Sequence, residues 1–142
     1  MSTILVDNLT GKTSAGDITV TSEGGAATQS LQQGLTKCWV MFQGTGTVAI
    51  DDSHNTASIS DVGTGQYTVS FSNNMNSATY FTVGAPKENT SGSHSSSCDR
   101  HCNPARVPLT TADVKYKTQT SNDSQGASDQ EEVFVMVAGD LA

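Results

Sequence analysis

From Val48 to Phe71 apolar residues recur at every second position: Val48 with Ile50, Ala57 with Ile59, then Tyr67, Val69 and Phe71. This is the period of strands that bury one face. The stretch "SISDVGTGQYTVSF", residues 58–71, carries two alternating runs joined by Gly-Thr-Gly, whose glycines supply the positive φ of a tight turn. It predicts an antiparallel hairpin with Tyr67, Val69 and Phe71 inward and Ser58, Ser60, Thr68 and Ser70 outward. "NNMN" at 73–76 predicts another turn, because Asn tolerates the left-handed region. Further short strands follow in "YFTV" and in "DVKYKTQT", where Val114 and Tyr116 share a face. In "VFVMVAGDLA", Val133, Val135 and Val137 point one way and Phe134, Met136 and Ala138 the other. A strand apolar on both sides is predicted to be central and covered by a second sheet, a helix or another subunit.

One stretch breaks the two-residue period. In "SLQQGLTKCWVMF", Leu31, Leu35, Cys38, Trp39 and Phe42 fall on one helical stripe, Ser30 with Gln33 forms a capping-box pattern, and Gly44 supplies a stop. A short amphipathic helix is expected over Leu31–Phe42, although Gly34 in its interior costs about 1 kcal/mol. Its stripe has two readings: packing on its own sheet, or against copies of itself around a symmetry axis. Upstream, Ile4–Val6 and Ile18–Thr21 are short β-type runs too small to build a core. They read either as a simple edge hairpin or as an arm docking on something larger. Three segments follow: an extended arm over 1–25, a helical neck over 28–44, and an antiparallel β-sandwich over 45–142 interrupted by a long polar loop at 84–108.

Composition supports a mainly β chain. Of 142 residues only 35% are hydrophobic and 15% charged, with Ser, Thr, Asn and Gly abundant and three prolines. The net charge of −7, with seven scattered Lys and Arg, argues against binding a phosphate backbone. No apolar run has the length of a signal sequence or a membrane span, so a soluble protein made in the cytoplasm is expected. Three cysteines, with Cys38 far from Cys98 and Cys102, do not form a secreted-type disulfide framework.

Candidate chemistry is sparse. "HSSSCDRHC" places His94, Cys98, His101 and Cys102 within nine residues. The ligand types suit zinc, but no second knuckle completes a rigid site. A metal site, a local Cys98–Cys102 disulfide and ordinary loop residues all remain open, and the last is preferred. "DDSHN" sets Asp51, Ser53 and His54 close together, but a catalytic triad is a matter of geometry, not of adjacency in sequence. No phosphate loop, dinucleotide fingerprint or HExxH is present. The expectation is a protein without enzymatic activity and without a cofactor.

The runs "ILVDNLTGKTSAGDITVTSEGGAATQSLQQGLTKCWVMF" and "GTGTVAIDDSHNTASISDVGTGQYTVSFSNNMNSATY", with the closing "VAGDLA", resemble small fibre-like structural proteins of marine tailed bacteriophages, on tail or head. The resemblance covers most of the chain and lapses over 84–108. It implies a virion component, homotrimeric, made in the host cytoplasm and released by lysis. An amino-terminal arm (Ile4, Leu5, Val6, Ile18 and Val20) would attach to the particle, Leu31, Leu35, Trp39 and Phe42 would meet other copies, and a carboxy-terminal β-sandwich knob would follow. Its partners would be itself, other virion proteins and a host-surface glycan or protein. Independently of the resemblance, receptor contact is expected on loops held by a rigid sandwich, above all 86–108 and 120–131, with His94, Arg100, His101 and Arg106 as the candidate contacts. Two alternatives stand beside it: a capsid decoration or tail-accessory protein without receptor binding, and a carbohydrate-binding adhesin module. The residues agree in one respect. So much two-sided apolar strand exceeds what one thin sandwich hides, and symmetric association is an economical cover.

Overall fold

The computed structural model describes residues 3–14, 18–22, 24–87, 108–119 and 126–142. Among these the chain is all β, with nine strands: β1 Thr19–Thr21, β2 Thr28–Ser30, β3 Thr36–Gln43, β4 Ala49–His54, β5 Thr56–Gly63, β6 Gln66–Phe71, β7 Phe81–Lys87, β8 Asp113–Lys117 and β9 Glu132–Ala138. The chain divides into two compact units, Met1–Leu35 and Thr36–Ala142.

The expected helix is absent, and its second half is strand β3. The capping-box pattern is realised locally: the Ser30 hydroxyl accepts the Gln33 N–H at 3.4 Å, and Gly34 N–H donates to Ser30 O. The turn then stops. Beyond Gly34, "TKCWVMFQ" buries Cys38, Val40 and Phe42 and turns Trp39 outward, which is a period of two. The apolar positions fit a helical stripe only because this strand is apolar on both faces; pairing with β4 and β9 on its two sides decides the matter.

In the first unit β1 pairs antiparallel with β2, Val20 opposite Gln29, around a turn containing Gly25 at φ 71°. The run Ile4–Val6 belongs to no strand. The hairpin partner of Ile18–Thr21 is therefore the segment that follows it, not the one that precedes it.

The second unit is β-sandwich-like. One sheet has the order β4-β3-β9-β7 and the other β5-β6-β8, every neighbouring pair antiparallel. Their facing sides share one core: Cys38, Val40, Phe42, Val133, Val135 and Val137 from the first, and Tyr67, Val69, Phe71, Val114 and Tyr116 from the second. Phe42 meets Tyr67 edge to face at 5.1 Å between ring centres, and Phe71 meets Tyr80 likewise at 5.9 Å. The β5–β6 hairpin matches its sequence expectation, with Ile59 opposite Val69 and Gly63 and Gly65 at φ 145° and 62°.

Among the described residues the left-handed asparagine is Asn55 (φ 54°), at the corner between β4 and β5, not one in "NNMN". Its side-chain amide explains why. Nδ2 donates to Lys37 O at 3.0 Å and Asn73 O at 3.1 Å, while Oδ1 accepts Asn73 N–H at 2.7 Å and the Asn73 amide at 3.1 Å. All four bonding positions of the amide are used, and they offset the cost of the left-handed backbone.

Candidate functional site

Strand β9 holds valines on one side and Phe134 and Met136 on the other, and the second sheet covers only the valine side. On the outer side the register assembles two apolar rows. One runs Trp39–Met136–Val83 and the other Met41–Phe134–Ala85, with His54 and Asp52 on β4 beside Trp39 and Met41. Phe81, across from Ala138, begins a third. Trp39 remains 38% exposed, Phe134 and Met136 41% each and Phe81 65%. The first two rows line a shallow groove of about 410 Å³, and among the described residues Asp52 is the one ionisable side chain lining it.

The outer side of this sheet is thus an apolar face whose large side chains are half-exposed. Strand alternation sends Ser53, opposite Val40, to the other side of the sheet from Asp52 and His54, so "DDSHN" does not converge. The Asp52 carboxylate instead accepts the Ser53 N–H at 2.8 Å. Among the described residues no group of three or more His, Cys, Asp or Glu is placed to hold a metal ion. His94, Cys98, Arg100, His101, Cys102 and Arg106 lie outside the described residues.

The Tyr67 hydroxyl, wholly buried, lies 2.8 Å from Gly44 O and 3.0 Å from Asp129 Oδ1, and gives its one proton to either. Gly65 N–H donates to the same carboxylate oxygen at 2.6 Å. Burial first, then the hydrogen bond and charge of Asp129, push the Tyr67 phenol far above its usual range. Burial, reinforced by Asp113 and Cys38, pushes Tyr80 up to about 12, and burial raises the Cys38 thiol against the opposing bond from Thr56. Tyr67, Gly65 and Asp129 tie the 126–130 segment to the core, and the Tyr80 hydroxyl donates to Thr110 O or Asp113 O, both at 3.0 Å.

Of the residues expected to meet other copies, Trp39 lies on the open face, whereas Phe42 is sealed in the core. Leu31 is half-buried and Leu35 exposed, both in the first unit. In that unit Ile4, Leu5, Val6 and Val20 are exposed and Ile18 is half-buried. The open face also includes Met41, Phe81, Val83, Phe134 and Met136. Their signal in the sequence was the second apolar set on β9; which side would stay uncovered depended on where β3 and β7 settled.

Comparison with protein-family models, with curated proteins and with solved structures finds no match.

Proposed function

We propose that this protein is a virion structural protein, a fibre-like homotrimer that attaches to its particle through the 1–25 arm and presents its sandwich unit outward, where it can meet a host surface. The observation that carries this reading is the apolar outer face of the β4-β3-β9-β7 sheet. Fully burying a large apolar side chain is worth about 1.5–3 kcal/mol, so covering the half-exposed Trp39, Phe81, Val83, Phe134 and Met136 gains on the order of 5 kcal/mol per copy. That is close to the lower end of the ~4–15 kcal/mol that association costs, so this face holds copies together best when several meet around one axis or a second contact joins it. The exposed apolar arm residues Ile4, Leu5, Val6 and Val20 support a second attachment of the same kind.

The face favours a protein surface over a glycan. Sugars are recognised through several converging hydrogen-bonding groups, and among the described residues lining the groove Asp52 is the one with a charged side chain. Light scattering after size exclusion tests the reading: a mass three times 14.8 kDa is expected, and a monomer would overturn it. Immunogold labelling of virions then separates a fibre from a capsid decoration, since label spread over the capsid lattice supports the second.

A further inference from the structure

The sheet edges of the sandwich unit are unlike. β4 carries Asp51, Asp52 and a bulge opposite Met41 and Phe42. β5 carries Asp61 and two register shifts, and β8 has Asp113, Lys115 and Lys117 among five residues. Charges, bulges and proline are the devices by which sheets keep an edge from pairing with another chain. Among the described residues β7 pairs with β9 alone, and within the strand the proline and the charge stand at the far end, Pro86 and Lys87. Its first five residues, Phe81–Ala85, contain no charge and no proline and run in unbroken register with β9. The last three residues of this stretch, Val83, Gly84 and Ala85, also form one wall of the apolar groove.

In the first unit a stretch of equal length has the complementary lack. Residues 3–7, Thr-Ile-Leu-Val-Asp, are rich in strand-forming side chains yet belong to no ladder, and Ile4, Leu5 and Val6 are 83%, 90% and 60% exposed. We propose that residues 3–7 of one copy add as a fifth strand to the Phe81–Ala85 edge of β7 in a second copy. Strand alternation then puts Ile4 and Val6 on the outer face, where they lengthen the rows ending in Val83 and Ala85, and turns Leu5 to the opposite side. Every copy has one such segment and one such edge, so the contact is heterologous, and a ring, which the trimeric reading requires, uses every segment and every edge without a leftover. The inference rests on the oligomeric reading above and reassigns part of the arm: Ile4, Leu5 and Val6 join copies instead of meeting the particle, for which Leu9 and the β1–β2 hairpin with Val20 remain.

The test uses the full chain with Leu5 replaced by the photoreactive residue benzoylphenylalanine, irradiated at its native oligomeric mass. Covalent dimers and trimers whose linked peptides contain Phe81–Ala85 are expected. Adding Val83→Lys to the labelled chain should cut that product about fivefold or more while the far-UV circular dichroism stays unchanged. An oligomer whose cross-links map elsewhere, or stay within one chain, overturns the strand addition and leaves the oligomeric reading standing. A monomeric mass with no intermolecular product overturns both.

Discussion

Replacing Tyr67 by Phe removes one oxygen from the centre of the sandwich unit. The ring stays, and with it the edge-to-face contact with Phe42 at 5.1 Å, so the packing loss is small. What is lost is the donor shared by Gly44 O and Asp129 Oδ1. Asp129 keeps the Gly65 N–H, but Gly44 O loses the hydroxyl proton in a buried place. Leaving such an acceptor short costs about 2 kcal/mol, which for a unit of this size lowers the melting temperature by roughly 10 °C. The same substitution carries a pH signature. In the native protein the Tyr67 phenol ionises well above its usual value near 10, whereas in the unfolded chain it ionises there. Above pH ~10 the unfolded state therefore binds fewer protons than the native state, and the stability of the parent falls as pH rises. Tyr67→Phe lacks this group, so the stability gap between parent and variant should narrow from pH 9 to pH 11, measured by urea denaturation at each pH. A gap that stays constant, or a loss below about 0.5 kcal/mol at neutral pH, would refute the assigned role of the hydroxyl.

Other positions give equally direct expectations. Tyr80, raised to about 12, and Cys38, also raised, add to the alkaline loss; the parent should lose stability progressively from pH ~9, and a flat profile to pH 11 would contradict their burial. Gly65→Ala drives a Cβ into the Thr118 carbonyl oxygen at a φ of +62°, and should cost about 3 kcal/mol or more in chemical denaturation. Asn55→Ala removes four side-chain hydrogen bonds at a left-handed corner and should cost about 3 kcal/mol, with Asn55→Gly recovering roughly 1 kcal/mol of it because the backbone strain is relieved. Met136→Lys changes a half-exposed outer-face position, so thermal stability should shift by less than about 1 kcal/mol while the oligomeric mass falls; an unchanged mass would separate this face from assembly.

The sequence shows most where a single face is buried. The β5–β6 hairpin reads directly, because Tyr67, Val69 and Phe71 alternate with hydroxyl residues and glycines mark the turn. β3 does not, because both its faces are apolar, and five such positions can be threaded onto a helix as easily as onto a strand. The left-handed corner at Asn55 depends on carbonyls and amides of Lys37 and Asn73, so no local dipeptide announces it. The contact of Gly65 and Tyr67 with Asp129 joins residues 64 and 62 positions apart and has no signature in either neighbourhood. The open face was half legible. β9 announced two apolar sides, but only the fold decided that one of them would lie under the second sheet and the other be left uncovered.

The placement of β9 between β3 and β7 also governs the order in which the protein can form. β3 and β7 leave the ribosome well before the strand that joins them, and until then Val40 lacks Val135 and Thr82 lacks Val137. Throughout that interval β3 presents apolar residues on both faces with one edge unpaired. The sheet therefore closes late and through contacts distant in sequence, a slow route on which stray pairing between nascent chains is the main hazard.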